Sequence, residues 1–165
     1  AIDLLDFFGG ALQAVSGNVA RIATPGDVED AVTFSFRSAA GVPGTAAYNF
    51  ASHVKEDVME LAGSAGRIAF SVFGHEPIRL ETARGVEEFG FAPPPHIAQP
   101  LIQTVVDDLL GHGPCPSTGE SARRTSAVMD RVLAAFYGGR DDEFWTRPQT
   151  WPGPKVAQAS SLPSP

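Results

Sequence analysis

Residues 56–72 have the sequence EDVMELAGSAGRIAFSV, and this stretch decides the fold class of the chain. A short apolar segment, 58–62, is followed by Gly63–Ser64–Ala65–Gly66 and then by alternating residues from Arg67 to Val72. Alternation of apolar and polar residues is typical of a half-buried β-strand, and paired glycines between two such runs favour a tight turn. The stretch therefore predicts an antiparallel β-hairpin.

Further short strands are predicted on both sides of this hairpin. Upstream, Val32, Phe34 and Phe36 alternate with polar residues, and the turn 41–44 leads into a strand that alternates as far as Val54. A weaker strand precedes them over 14–22, and strands near Ile78–Leu80 and Phe89–Phe91 follow the central hairpin. Six or seven short strands thus run in series, separated by turn residues.

The pattern changes to helices after the prolines at 93–95. Apolar residues recur at helical spacing over 97–109, with Pro100 tolerable only in the first turn. Ser117 and Glu120 have the spacing of a capping box and predict the start of a last helix that ends at Gly138–Gly139. Strands followed by helices predict an α+β fold, with an open, mainly antiparallel sheet of about six strands and helices packed on one face.

The organisation predicted from the sequence is one domain over residues 1–139 and a proline-rich tail over 140–165. Five prolines fall in the last eighteen residues, and we expect the last part of the tail to be disordered. Ile2, Leu4, Leu5 and Phe8 have helical spacing from the first residues onward, with no capping residue before them. We therefore expect this chain to be one piece of a longer polypeptide.

The net charge of the chain limits the classes of partner that it can bind. Twelve Lys and Arg against nineteen Asp and Glu give a formal net charge of -7 in 165 residues. An excess of carboxylates repels nucleic-acid phosphates and anionic lipid surfaces, so neither class of partner is expected. The sequence has no signal peptide at its start and no apolar span long enough for a membrane. The single cysteine, Cys115, fits a reducing compartment, and a cytoplasmic location is predicted.

The motifs of common catalytic sites are missing from the sequence. There is no glycine-rich dinucleotide fingerprint, no phosphate-binding loop and no nucleophile elbow, and the four histidines have no metal-ligand spacing. We assign no catalytic, cofactor-binding or metal-binding residue. His96 and Gln99 are candidates for substrate contact, because imidazole and amide groups suit hydroxyl groups. The alternative for His96 is a side chain that hydrogen-bonds backbone where the spacer enters the helix.

Four stretches of the chain together resemble the C-terminal domain of the glucose-fructose oxidoreductase / inositol dehydrogenase (Gfo/Idh/MocA) family. Residues 1–7, AIDLLDF, are similar to the helix that follows the family's catalytic histidine. Val28–Glu29–Asp30, with the next strand and Gly41, is similar to the opening of its sheet. Residues 56–68 resemble its glycine hairpin, and residues 109–122 resemble its closing helix pair.

The resemblance implies a two-domain NAD(P)-dependent oxidoreductase acting on a sugar, inositol or related polyol. In the family, an N-terminal Rossmann domain binds the nicotinamide cofactor, and the sheet domain shapes the substrate pocket and commonly makes the oligomer contact. This sequence lacks the Rossmann domain and its E-K-P motif, and the family's histidine would stand immediately before Ala1. No catalytic residue is carried over. Asp3 matches the aspartate of the family's H-x-I-D pattern and is a third candidate for substrate contact.

Three functions remain open at this point, one of them an unrelated small α+β enzyme, which turnover by the isolated chain would support. The first is a substrate-binding and oligomerisation domain of such an oxidoreductase, inactive as this chain alone and a homo-oligomer through its open sheet face. Ala47, Asn49 and Ala51, which are small and at most mildly polar, are the residues expected on that face. The alternative is a freestanding, non-catalytic binding or assembly module.

Overall fold

The computed structural model describes residues 1–139, so every expectation about the tail 140–165 lies outside the described residues. Three helices and seven strands follow one another along this part of the chain. They are α1 (Ile2–Gly9), β1 (Gln13–Ala20), β2 (Ala31–Arg37), β3 (Pro43–Asn49), β4 (Met59–Gly63), β5 (Gly66–Phe70), β6 (Ile78–Thr82), β7 (Gly85–Phe89), α2 (Gln99–Leu109) and α3 (Gly119–Tyr137).

The α+β class is confirmed, but the strands form two sheets rather than one. One sheet has the order β1-β2-β3 and the other β4-β5-β6-β7, and every pairing is antiparallel. The predicted continuation of β3 to Val54 is wrong. The Asn49 side chain accepts a hydrogen bond from the Ala51 N–H at 3.0 Å, and the Ser52 hydroxyl accepts one from the Val54 N–H at 3.2 Å. Such local turns compete with strand pairing and end the strand.

The chain divides into two compact units. One unit consists of Ala1–Phe8 and Ser52–Thr125, and so contains the four-stranded sheet and α2. The described part of the other consists of Gly9–Ala51 and residues 126–139, and so contains the three-stranded sheet. The expectation of a single domain over residues 1–139 stays a prediction.

The core of the three-stranded unit includes Phe34, in the middle of β2. Phe34 is 4% exposed, and its ring lies 6.4 Å from the ring of Tyr48 on the neighbouring strand. The residues beside it in sequence, Thr33 and Ser35, are exposed, as the alternation predicts. The other buried apolar residues of this unit are Val15, Val128, Val132 and Tyr137.

The four-stranded sheet has one charged face and one that is mainly apolar, with Glu87 on the edge strand β7 as an exception. Cross-strand register groups Leu61 with Ile68 and Leu80 on one face, where the ring of Phe8 lies 6.0 Å from that of Phe70. On the other face Arg67 pairs with Glu60 at 3.1 Å and with Glu81 at 2.7 Å. A β-carbon on Gly66 would lie 2.3 Å from the carbonyl oxygen of Glu81. Glycine at this position is what allows β6 to approach β5.

The turn between β2 and β3 begins three residues earlier and ends two residues earlier than the sequence predicts. It runs from Ser38 to Val42, closed by a 2.8 Å bond from the Ser38 N–H to the Val42 carbonyl, while Pro43 and Gly44 already belong to β3. Gly41 has a φ of +83°, a backbone conformation that favours glycine.

The start of α3 is likewise displaced, by one residue. The Thr118 N–H donates to the Ser121 hydroxyl at 3.0 Å, and the Ser121 N–H donates to the Thr118 hydroxyl at 3.3 Å. The reciprocal pair is therefore Thr118 and Ser121, not Ser117 and Glu120. Glu120 instead forms an ion pair with Arg123 at 2.7 Å. Pro100 does lie in the first turn of α2, as predicted.

Candidate functional site

The exposed face of the three-stranded sheet, which we call the flat face because small side chains cover most of it, is almost free of charge. Register places Ser16, Ser35 and Thr45 in one row across the strands and Asn18, Thr33 and Ala47 in the next. All six side chains are exposed. The charged residue that the described strands place on this face is Arg37, in the end row with Gln13 and Pro43.

A shallow depression lies at this end of the sheet. Its lining includes Ala14, Phe36, Arg37 and Gly44. Ala14 has a φ of +49° where the β1–β2 register is interrupted, and a β-carbon on Gly44 would lie 2.3 Å from the Phe36 ring. Within residues 1–139 the Arg37 guanidinium has no hydrogen-bond or ion-pair partner, so it is available to an acceptor in solution.

Two of the predicted substrate residues lie together at the start of α2. The Gln99 N–H donates to the His96 carbonyl at 3.0 Å, which places both residues in one turn. Both are exposed, and among the described residues neither side chain makes a hydrogen bond. The imidazole and the amide are therefore both open to solvent at one point of the four-stranded unit.

The third predicted residue, Asp3, lies in the first turn of α1. Its carboxylate accepts a hydrogen bond from the Thr125 hydroxyl at 3.4 Å. In the part of the chain that the structure describes, no hydrogen bond joins Asp3 to His96 or Gln99. The structure thus brings two of the three candidates together and leaves the third on α1.

The most buried ion pair among the described residues involves Asp6, on α1. Asp6 is 6% exposed and accepts hydrogen bonds from Arg124 at 2.8, 3.0 and 3.2 Å. The hydrogen bond to Asp6 also raises the pKa of the Arg124 guanidinium. The only signal in the sequence was a carboxylate beside an apolar stripe in α1 and an arginine pair at the start of α3.

Asp30 is a second buried acidic residue, 3% exposed. The Asp30 carboxylate accepts hydrogen bonds from the backbone N–H groups of Ile22, Ala23 and Thr24, each at 2.7 Å. These bonds, with that from Ala23 the largest contribution, lower the pKa of Asp30 to about 2. Asp30 therefore holds the β1–β2 connection in shape, which is a structural role.

The described residues do not fit a bound nicotinamide dinucleotide. Such cofactors are held where a parallel β-α-β unit places a glycine-rich turn at a helix N-terminus. Here all strand pairs of residues 1–139 are antiparallel, and the glycine turn at 63–66 joins β4 to β5. The described residues also contain no cluster of three or more potential metal ligands. None of their helices is long and apolar enough to cross a membrane.

A family model described as the GFO/IDH/MocA C-terminal domain matches residues 1–69. Over these residues the chain is similar to the C-terminal domain of this family. The resemblance found in the sequence is thereby confirmed, and the matched region contains three of the four stretches that suggested it, from α1 through the β4–β5 hairpin. The fourth, 109–122, lies beyond the matched residues.

One curated relative of the chain is oxidoreductase P35 from Formosa agariphila. The two are 29% identical over 90 residues, which make up 54% of this chain and 28% of the relative. The chain thus spans little more than a quarter of that protein.

Several solved oxidoreductase structures share the fold of this chain. An oxidoreductase from Agrobacterium radiobacter, in complex with NAD+ and L-tartaric acid, has a TM-score of 0.68 at 15% identity, covering 85% of this chain and 44% of its own. A UDP-N-acetylglucosamine 3-dehydrogenase from Acidithiobacillus ferrooxidans has a TM-score of 0.68 at 18% identity, covering 82% and 44%. A biliverdin reductase from Synechocystis, in complex with NADP+, has a TM-score of 0.67 at 19% identity, covering 81% and 43%.

Proposed function

We propose that this chain is the substrate-binding and oligomerisation domain of an NAD(P)-dependent oxidoreductase acting on a sugar, inositol or related polyol. One observation carries the proposal. The chain aligns over more than four fifths of its length with oxidoreductases, yet covers less than half of each of them. The described residues do not fit a dinucleotide, so the NAD or NADP of the parent enzyme would bind in an N-terminal Rossmann domain. The chain alone is then inactive.

The flat sheet face supports the oligomerisation part of the proposal. Covering a protein surface removes water from its polar groups, and ionised side chains are the most costly to desolvate. Two rows across the strands contain only small neutral side chains: Ser16, Ser35 and Thr45 in one, and Asn18, Thr33 and Ala47 in the other. A second copy of the domain can cover them at a low desolvation cost, giving a homo-oligomer with a closed twofold contact.

Substrate contact is assigned to His96, Gln99 and Asp3. The imidazole and amide of the first two are free to bond hydroxyl groups, which are what a sugar or polyol presents. Asp3 keeps an acceptor oxygen beyond its bond from Thr125. The domain over 1–139, the tail over 140–165 and a cytoplasmic location complete the proposal.

Cofactor titration tests the dependence on a missing domain. NADH and NADPH are added to the 165-residue chain, and then to the natural protein with any residues that its gene encodes ahead of Ala1, while cofactor fluorescence is followed. We expect no saturable binding to the chain and saturable binding to the longer protein, with turnover of a sugar or polyol only there. Saturation with the chain alone would contradict the proposal.

A freestanding assembly module is the second candidate, and the same flat sheet face favours it, because such a face can serve assembly without any catalysis. The two candidates differ in the gene. A start codon at or just before Ala1 supports the module, whereas an upstream glycine fingerprint and E-K-P motif support the oxidoreductase.

A further inference from the structure

Helix α2 presents its apolar side to solvent. Its apolar residues recur at spacings of three and four from Leu101 to Leu109, which places them on one stripe about 12 Å long. Every one of them is at least 40% exposed, and Leu109 reaches 83%. We call this set the α2 stripe; it consists of Leu101, Ile102, Val105, Val106 and Leu109.

The opposite edge of α2, which is polar, faces the rest of its unit. Thr104 is half-buried, and its hydroxyl lies 3.6 Å from the sulfur of the buried Cys115. Asp107 is also half-buried, and its backbone carbonyl accepts a 2.8 Å bond from the His112 N–H. In α3, by contrast, Val128 and Val132 are buried. The polarity of α2 is therefore reversed relative to a helix that packs on its own domain.

We propose that the α2 stripe is the docking surface for the N-terminal cofactor-binding domain of the parent oxidoreductase. This inference rests on the proposed function and names the surface through which the two domains of the parent enzyme would contact each other. Five adjacent exposed aliphatic side chains form the kind of patch that marks a protein interface.

Two observations point to this occupant. The matched oxidoreductases are more than twice as long as the part of them that this chain covers, and the matched domain is described as C-terminal. Relatives therefore have ample polypeptide ahead of the region that corresponds to α1. In addition, Ala1–Phe8 and α2 belong to the same compact unit. A domain joined ahead of Ala1 would enter that unit, whereas the flat face proposed for oligomerisation belongs to the other one.

Hydroxyl-radical footprinting tests this docking surface, because it labels aliphatic side chains according to their exposure. The 165-residue chain is compared with the natural protein that includes any residues encoded ahead of Ala1. Val86 is the matched control, since it is 49% exposed and Leu101 is 48% exposed, and Val86 lies on the charged face of the four-stranded sheet. We expect labelling of the stripe to fall severalfold in the longer protein and labelling of Val86 to stay constant.

Charge substitutions give a second readout. Leu101→Glu with Val105→Glu should leave the fold and melting temperature of the 165-residue chain nearly unchanged, because both side chains are already exposed. In the longer protein the same pair should restore strong labelling at Ile102 and Leu109, whereas Val86→Glu should not. If the double variant fails to fold, the single variant Leu109→Glu takes its place.

The remaining outcomes separate the two proposals. A longer protein that binds NADH but labels its stripe as strongly as the chain does would overturn the docking surface and leave the proposed function standing. Protection of the stripe in the 165-residue chain that grows with concentration would identify a second copy as the occupant and overturn our choice. A gene that encodes no nucleotide-binding domain ahead of Ala1 would overturn both proposals.

Discussion

The exposed face of the three-stranded sheet carries serine, threonine, asparagine and alanine, whereas one face of the four-stranded sheet carries arginines and glutamates joined in ion pairs. Thr33 lies between Asn18 and Ala47 in the first sheet. Arg67 lies between Ala62 and Glu81 in the second, and bonds Glu60 and Glu81. Both sheets are antiparallel and alternate in the same way, so the difference lies entirely in the choice of outward-facing residues.

The difference distinguishes a surface that stays in water from one that can be covered. Exposed ion pairs contribute little to stability, but burying them requires removing water from each charge. A face with the pattern around Arg67 therefore resists a flat partner. Small hydroxyl, amide and methyl groups carry no such cost, and the flat face is the one that we assign to the oligomer.

The largest expected effect comes from placing a charge on each face in turn. Ala47→Glu puts a carboxylate in the middle of the flat face, where a twofold contact would bring two such groups together. We expect the dissociation constant of the oligomer to rise by at least about 100-fold, since like charges across an interface cost several kcal/mol. Sedimentation velocity over a concentration series measures it.

The matched control is Ala62→Glu, on the charged face. Ala62 is also an exposed strand alanine, and a carboxylate there would face Arg67. Its oligomer should dissociate as the unchanged protein does. Equal weakening by both variants, or by neither, would remove the flat face from the proposed interface.

A smaller effect is expected inside the four-stranded sheet, from Gly66→Ala. The new methyl group would meet the Glu81 carbonyl oxygen at 2.3 Å, so β6 must move away from β5. We expect a loss of about 1–3 kcal/mol in the free energy of unfolding, as for other overpacked sites. Urea denaturation measures the loss, and hydrogen exchange shows whether β1–β3 keep their protection.

Gly63→Ala is the control for this prediction, because it changes the first glycine of the same turn. The nearest atom to its added β-carbon would be the Gly66 carbonyl oxygen at 3.8 Å, an ordinary contact. Its free energy of unfolding should stay within about 0.5 kcal/mol of the unchanged protein. If Gly63→Ala lowers the free energy of unfolding more than Gly66→Ala does, the close approach of β6 to Gly66 does not explain why glycine is needed there.

The smallest expected effect depends on pH and concerns the three-stranded sheet alone. The pKa of Asp30, next to β2, is lowered from 3.8 to about 2, so its carboxylate stabilises the folded state at neutral pH. This contribution is complete above pH 4 and is lost as the pH falls through the folded-state value near 2. Asp30→Asn should lower the melting temperature at neutral pH by several degrees. The difference in melting temperature between this variant and the unchanged protein should become smaller as the pH falls from 4 to 2.

Melting curves at each pH, followed by circular dichroism, measure this difference. Asp27→Asn is the control, because it removes an exposed carboxylate from the same loop and leaves the three backbone bonds to Asp30 in place. A gap between Asp30→Asn and the unchanged protein that stays constant down to pH 2 would mean that the carboxylate's charge does not hold this connection.

Local patterns predicted most of the elements. Alternation found β2 and the β4–β5 hairpin, and the spacing of apolar residues found α1, α2 and α3. These signals survive in a single sequence because side chains alternate every two residues in a strand and return every 3.6 in a helix. The ends of elements were predicted less accurately. Ser117 and Thr118 are both good helix caps, and only the tertiary structure shows that Thr118 forms the reciprocal pair of hydrogen bonds with Ser121.

The candidate site was only partly predictable. His96 and Gln99 are three residues apart at a helix start, so their closeness follows from the sequence. The Asp6–Arg124 pair joins residues more than a hundred positions apart, and nothing in the spacing of either helix selects that partner. The reversed polarity of α2 was equally hidden, because an apolar stripe has the same spacing whether it faces a core or a partner.

The sequence by itself determined the order of strands and helices, the resemblance to a known family over residues 1–69 and the lack of a nucleotide-binding fingerprint. Each of these depends on residues that are near one another in the chain. Only the tertiary structure decided which faces meet water. It divided the strands into two sheets, paired Arg67 with Glu60 and Glu81, and turned the stripe of α2 outward. The physical reason is that burial depends on which distant segments come to lie against a face, and periodicity describes only the face itself.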